Sequence, residues 1–308
     1  MDTVIRLDPL LGSLDAIGPL RSPLLIAGFA GANGSTAAGA ISYLAEQWDA
    51  QLIAELDPDD FYDFTMARPF VRLEDGERVI EWPRARFWLA RLADADRDVI
   101  LVDAREPSFR WRRFADAIVE VARALGVQET VVLASFPGAT PHTRVTQTFM
   151  VGQSGAFAAR TGMPVRPPQY AGPAEVSMAF AAHCRDNGLT TTTLVAIAPF
   201  YLRLDPSPHA IAALVSVVDA GIGASTARDQ LQAALDEANT GAAALVAQSP
   251  DIARLVQNLE RQLDESGMGQ AAVSLDVEDV LADVEAILRR PPDGSADGSS
   301  GAPRESIS

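Results

Sequence analysis

The first strong signal in the pattern of apolar positions is the run Leu24-Leu25-Ile26-Ala27, which ends in a small-residue loop, Gly28-Phe29-Ala30-Gly31-Ala32-Asn33-Gly34. A helical stretch with Ser35 or Thr36 suited to its N-cap follows, and a second apolar run begins at Gln51. This succession predicts strand, tight turn, helix, strand, the βαβ unit of a parallel sheet. Upstream, Val4, Ile5 and Leu7 predict an edge strand or surface strap within Met1 to Ser22. Downstream, Asp57 to Phe64 forms an acidic and aromatic loop. The extended runs Phe70 to Leu73 and Arg78 to Trp82 then flank Glu74-Asp75-Gly76-Glu77, where Asp-Gly is a hairpin signal. Ala85 to Ala90 is a candidate third antiparallel strand, so a mixed sheet is expected.

Asp98 to Asp103 reads as a buried strand. After it, Phe114, Ile118, Val121 and Leu125 recur at helical spacing within Phe109 to Leu125, and Gly126 supplies a stop. A central strand, Thr130 to Ala134, runs into the polar loop Ser135 to Arg144. Helix Ala174 to Asn187, strand Thr191 to Ile197 and helix Pro208 to Ala220 complete the alternation. Beyond Gly223 the pattern becomes purely helical. Thr226 to Gln248 presents Leu231, Leu235, Leu245 and Val246, and Asp251 to Asp264 presents Leu255, Leu259 and Leu263. The division expected is an α/β core over residues 1–222, a helical hairpin over 223–267 and an acidic tail over 268–308. That tail would hold one short helix, Val277 to Arg290, before the disorder-prone Pro291 to Ser308.

Composition narrows the chemistry. The net charge of −16 opposes binding to a phosphate backbone, so no nucleic-acid partner is expected. No stretch reaches the ~20 apolar residues needed to cross a bilayer; the longest candidate, Ala210 to Ala224, contains Asp219. The N-terminus carries acids and lacks a continuous apolar segment, so the expectation is a cytoplasmic protein without membrane contact. The single cysteine, Cys184, excludes an intramolecular disulfide. All 25 basic residues are arginine, which removes the P-loop lysine, the Schiff base and the lysine general base. Two accounts of the missing lysine stay open: codon drift in a GC-rich genome, or avoidance of lysine-targeted tagging.

In open α/β sheets ligands collect beyond the carboxyl ends of the strands. Four loops would meet there: Gly28 to Thr36, Asp103 to Ser108, Ser135 to Arg144 and Pro199 to Pro206. The candidate ligand-binding residues are accordingly Gly28, Gly31, Asn33, Gly34, Ser35, Asp103, Ser135, His142, Arg144 and Tyr201. In the first loop, glycine N–H groups ahead of a helix N-terminus would form an anion cradle, although tight packing of helix on strand explains the glycines equally well. His142 would serve as acid or base and Arg144 would hold a carboxylate or phosphate. The same residues would equally well satisfy loop backbone or a subunit contact. Spacings such as HExxH or GxSxG do not occur, so the sequence calls for no metal and no cofactor and offers no catalytic set.

Three blocks carry a resemblance. They are Leu25-Ile26-Ala27-Gly28-Phe29 with its Gly-rich turn, Pro141-His142-Thr143-Arg144 after a Pro-Gly turn, and the segment from Gly172-Pro173-Ala174 to Gly188-Leu189. The last leads on to Ala198-Pro199-Phe200-Tyr201-Leu202 and Asp205-Pro206-Ser207-Pro208-His209-Ala210. In this order they resemble the proteasome assembly chaperone 2 family in its actinobacterial form, over roughly Ser22 to Ala220. The resemblance implies a three-layer α/β/α fold with a mixed sheet, phosphorylase/hydrolase-like, and a homo-oligomer. It also implies a protein-binding or assembly factor, with proteasome subunits as candidate partners. The alternative is a small-molecule-binding protein or enzyme with its site at the carboxyl edge. Some bacterial members carry an ATP-grasp ligase label, which the absence of lysine disfavours here. Docking chaperones of this type can end in a hydrophobic-Tyr-X tail, whereas this chain ends Glu305-Ser306-Ile307-Ser308.

Overall fold

The βαβ unit read from Leu24 onward lies at the middle of a mixed sheet. A computed structural model describes residues 5–7 and 14–266. The elements in chain order are β1 (Ile5–Leu7), β2 (Leu24–Ala30), α1 (Thr36–Gln47), β3 (Gln51–Leu56), β4 (Phe70–Glu74), β5 (Glu77–Glu81), β6 (Arg86–Arg91) and β7 (Asp98–Arg105). They continue with α2 (Trp111–Ala124), β8 (Glu129–Gly138), β9 (Thr148–Gly152), α3 (Ala156–Thr161), β10 (Val165–Arg166), α4 (Val176–Asp186) and β11 (Thr190–Pro199). The last three helices are α5 (Pro208–Ile222), α6 (Asp229–Gln248) and α7 (Pro250–Ser266).

Among the described residues nine strands form one sheet in the order β1-β3-β6-β7-β2-β8-β11-β9-β10. The four central strands, β7, β2, β8 and β11, run parallel. They are buried on both faces, which is why they read as continuous apolar runs rather than alternating ones. Successive side chains of β2 still point to opposite faces. Leu25, Ala27 and Phe29 join Phe114 and Ile118 of α2 and Phe180 of α4, while Leu24 and Ile26 join Ile41 and Leu44 of α1 and Leu214 and Val218 of α5. These two apolar clusters are the layer boundaries of an α/β/α sandwich. The expected three-layer mixed fold is what the chain adopts.

Local signals held where local geometry decides. Asp75 and Gly76 both take positive φ, 51° and 85°, as a two-residue hairpin turn matched to strand twist requires. Gly126 (φ 74°) follows α2, and Ser207 with Pro208 opens α5. The edge strand expected in the N-terminal segment is β1, antiparallel to β3.

Two expectations need correction, and one stretch gains elements that were not expected. The segment Ala85 to Ala90 is antiparallel, as expected, but β6 pairs with β3 and β7 in the main sheet and leaves β4–β5 a separate ribbon. The stretch after Arg144, for which no element was expected, supplies β9, α3 and β10 at the β11 edge. These elements are two to six residues long, too short for a period to show. The first terminal helix begins at Asp229, later than Thr226. Thr226 instead accepts the indole N–H of Trp48 at 2.9 Å and donates to Asp219 at 2.5 Å, pinning the connection to α1 and α5.

The two terminal helices belong to the same compact unit as the sheet. Leu231 of α6 enters the α1–α5 cluster, while Leu245, Val246, Ile252, Leu255, Val256 and Leu259 gather around Phe200, Tyr201 and Leu202. The helix expected at Val277 to Arg290 and the disordered tail expected after it lie outside the described residues.

Candidate functional site

Because β2, β7, β8 and β11 are parallel, the loops after them rise from one edge of the sheet, as the site argument required. The structure gathers part of the candidate set there. A small open cleft, with an interior of only about 20 Å³, is lined by Phe29, Gly31, Asn33, Gly34 and Ala37 from β2 to α1. Ser135 lines it from β8, and Glu175, Val176 and Ser177 from the start of α4. Gly28, Asp103, His142, Arg144 and Tyr201 do not line it, nor does Ser35.

Gly28 lies beneath the cleft as a packing residue. A Cβ on it would sit 2.7 Å from the Ala37 carbonyl carbon and from Ile41 Cγ1, so only glycine lets α1 lie this close to β2. Of the two explanations open for this glycine, helix-on-strand packing is the one the geometry supports. Gly31 and Gly34 close a turn on themselves, each N–H bonding the other's carbonyl at 3.0 Å. Gly34 has φ +96°, and a Cβ there would meet Asp205 Oδ1 at 2.7 Å.

Asn33, Ser35 and Ser177 around the cleft are already partnered, in each case by a carboxylate. Asp205, from the loop after β11, accepts from Ser35 N at 2.6 Å and from Ser35 Oγ at 2.9 Å, and so occupies the N-terminus of α1. Glu106, after β7, accepts from Val176 N at 3.2 Å at the start of α4. Glu175 accepts from Asn33 Nδ2 and, at 2.5 Å, from Ser177 Oγ. A helix N-terminus attracts anions through its free N–H groups and dipole. Here both nearby helix starts carry the protein's own negative charge, so a phosphate would have to displace a carboxylate. The cleft is chemically suited to a neutral or cationic group. Glu106, Glu175 and Asp205 were not among the sequence candidates. The one signal for Glu106 and Asp205 was their place just beyond the carboxyl ends of β7 and β11.

Asp103 lies on β7, nearly buried, ion-paired with Arg86 and accepting from Ser42 Oγ at 3.4 Å. Arg86 in turn lies over the Trp88 ring at 5.5 Å. Burial, followed by the charge of Asp103, pushes the Tyr62 phenol well above its usual value, and its hydroxyl donates to the Arg105 carbonyl at 2.9 Å. This is a fixed internal ion pair with an aromatic cover.

His142, Arg144 and Tyr201 do meet, but around α7 and away from the cleft. The Tyr201 hydroxyl accepts the His142 backbone N–H at 2.8 Å and lies 2.6 Å from Nδ1. Arg144 bonds Asp264 at 2.9 and 3.2 Å and Glu260 at 3.3 Å, and Thr143 also donates to Glu260. The Arg144 guanidinium holds the Asp264 carboxyl below the usual carboxylate range. Burial lowers the His142 imidazole, with nearby His209 adding to the shift and Glu260 opposing it. Burial, again, raises the Tyr201 phenol. The loop motif thus works as a clasp for the C-terminal helix.

The remaining reactive side chains are tied down as well. His209 Nε2 lies 2.9 Å from Asn239 Oδ1, and His183 Nε2 2.8 Å from Asp116 Oδ1. The Cys184 thiol is buried, which pushes it up to about 12. Among the described residues no group of three His, Cys, Asp or Glu side chains is placed to hold a metal ion. No helix there is long and apolar enough to cross a membrane.

A family model described as the PAC2 family matches residues 25–246, from the first strand of the βαβ unit to the end region of α6. The chain belongs to the PAC2 family. Solved PAC2 relatives agree. A PAC2 family protein from Streptomyces avermitilis is 31% identical, superposes with a TM-score of 0.67, and covers 76% of this chain and 99% of its own. A proteasome-assembly chaperone homologue from Mycobacterium tuberculosis is 30% identical, with a TM-score of 0.66 and the same 76% and 99% coverage. A Corynebacterium glutamicum protein of unknown function shares the fold with a TM-score of 0.75 at 23% identity, covering 86% of this chain and 98% of its own. No curated protein matches the chain. Within this PAC2 chain, the family match takes in both the cleft and the clasp loop but stops before α7.

Proposed function

We propose that this PAC2 family protein is a protein-binding assembly factor of the proteasome, acting through its surfaces as a cytoplasmic homo-oligomer. The observation that carries the reading is family membership together with 30% identity to a proteasome-assembly chaperone homologue over 99% of that chain. The state of the candidate chemistry supports it. His142, Arg144 and Tyr201 are engaged in holding α7, and Asp103 in an internal ion pair. Recovery of the tagged full chain from native cytosol under mild conditions tests the proposal. Proteasome α- or β-subunits should be enriched above an unrelated acidic bait. Their absence from the eluate counts against the link to the proteasome.

A second reading rests on the cleft between the Gly31–Gly34 turn and α4, whose interior of about 20 Å³ would take the neutral or cationic end of a small molecule that otherwise lies along the open edge. A thermal-shift screen of metabolites addresses it, because a ligand bound by the native state raises stability by mass action. A hit should lose its effect when Ser135 or Asn33 is replaced by leucine. A hit indifferent to both replacements would place its site elsewhere.

A further inference from the structure

The Ser135 hydroxyl is a polar group that the fold buries without a partner. Ser135 ends the buried run of β8 and lines the cleft between the Gly31–Gly34 turn and α4, with 7% of its surface exposed. Its side chain makes no hydrogen bond among the described residues. Buried hydroxyls are rarely left unpaired, so the partner of this one is a group that enters the cleft.

The rest of the lining says which group that is. Its one charged residue is Glu175, and no arginine or histidine lies on it. Glu106 and Asp205 stand behind the wall, on Val176 N and Ser35 N, where they offset the positive ends of α4 and α1. Arg105 and Arg203, near those acids in the chain, are exposed and line no part of the cleft. Asn33 Nδ2 donates to Glu175, which leaves Asn33 Oδ1 as an acceptor; the reversed amide would set oxygen against carboxylate. Glu175 accepts one hydrogen bond on each oxygen, from Asn33 and from Ser177, and keeps further lone pairs on both. Ser135, Asn33 and Glu175 therefore ask for donors, beside a single negative charge.

Size narrows the choice further. An interior of about 20 Å³ has room for one group the size of a water molecule. A guanidinium, with its nitrogens spread in a plane around carbon, is too large for it. A metal ion is not provided for, because among the described residues no three His, Cys, Asp or Glu side chains converge to hold one. A primary ammonium has the required size, one positive charge and three N–H donors. Phe29, Leu133 and Val176 on the same lining give the attached methylenes apolar contact. The chain contains no lysine, so none of its own side chains can supply this group.

We propose that the cleft binds a primary ammonium group at the end of an alkyl chain, with Ser135, Asn33 and Glu175 accepting its N–H bonds. The proposal rests on the second reading above, that the cleft is a ligand site, and names the chemistry it selects. Free amines and the lysine side chains of another protein share this group, and the probes separate them. The test is calorimetric titration of the full chain, at fixed pH and ionic strength, with n-butylammonium, 1-butanol, tetramethylammonium and Nα-acetyl-lysine methylamide. n-Butylammonium should bind about tenfold or more tighter than butanol, which lacks the charge, and than tetramethylammonium, which has no N–H. Ser135→Ala should weaken it about fivefold or more, and Glu175→Gln about tenfold. Tighter binding of the lysine derivative than of n-butylammonium identifies a protein's lysine as the source; the reverse identifies a free amine. If butanol binds equally well and Ser135→Leu abolishes both, the ammonium is overturned and the cleft reading stands. Binding that tetramethylammonium matches, or that Ser135→Ala and Glu175→Gln leave unchanged, is unspecific charge attraction and overturns the proposal. Failure of every probe to bind overturns it too, and the metabolite screen then shows whether the cleft reading falls with it. Should Glu175→Gln lower the Tm, Ser135→Ala decides, since it removes a hydroxyl that bonds nothing in the fold.

Discussion

Replacing Tyr201 with phenylalanine removes one oxygen and should detach the clasp without disturbing the cleft. That oxygen carries both contacts to His142, the backbone N–H at 2.8 Å and Nδ1 at 2.6 Å. A hydrogen bond contributes about 0.5–1.5 kcal/mol net, and a donor left unpaired on burial costs more. The ring keeps its packing on Val256 and Leu259, so the loss is confined to the polar contacts. The expected destabilisation is about 1–2 kcal/mol, discounted from two full bonds because the His142 side of the site is half-buried. For a chain of this size that is a fall in Tm of roughly 2–6 °C. Tyr201→Ala, which also strips the ring from the Val256–Leu259 cluster, should cost about 3–5 kcal/mol. The assay is thermal or urea unfolding, joined to limited proteolysis within α7. Cleavage between Pro250 and Ser266 should accelerate in Y201F while the sheet remains resistant. A variant that melts with the native protein and protects α7 equally would refute the clasp, and would reopen His142 as a free acid or base.

Three further outcomes follow from the same geometry. Gly28→Ala should destabilise by about 3 kcal/mol or more, because the new methyl meets the Ala37 backbone rather than a movable side-chain end; a Tm within a degree of native would show that α1 can shift. Asp205→Asn should expose the α1 N-terminus, so that sulfate raises the Tm of the variant but not of the native chain; equal responses would mean the cradle is not carboxylate-blocked. In pH, His142 is lowered below its usual 6.5 in the folded state. Its stabilisation is therefore complete above about 6.5 and is lost as pH falls through the lower folded value. Asp63, Asp96 and Asp264 are held below the usual carboxylate range, so their contribution disappears only at more acidic pH, near and below 3.8. Unfolding between about pH 7 and pH 5 should show a declining Tm that flattens in His142→Gln, and a flat native profile would contradict the burial of the imidazole.

Candidate chemistry was legible as position and not as partnership. Residues following parallel strands were expected at one edge of the sheet, and Gly31, Asn33, Gly34 and Ser135 do line one cleft there. His142 and Arg144 come from the same loop region, yet they turn to a helix that begins more than a hundred residues later. The Arg144–Asp264 bond spans 120 positions and the Ser35–Asp205 bond 170. Nothing in the local spacing of either loop specifies such a partner.

What the amino-acid sequence determined alone were features whose physics is complete within a few residues. They include the apolar runs of the central strands, the Asp75-Gly76 turn with its positive φ angles, and the glycine and proline ends of helices. Tertiary structure alone decided that β6 enters the main sheet and leaves the β4–β5 ribbon outside it. It also decided that the helix N-termini beside the cleft are filled by Asp205 and Glu106, and that the His–Arg pair clasps α7. Each of these is a competition between groups far apart in the chain. Its outcome depends on which carboxylate or strand edge the packed layers bring within bonding distance, and that distance exists only after the two faces of the sheet have been covered.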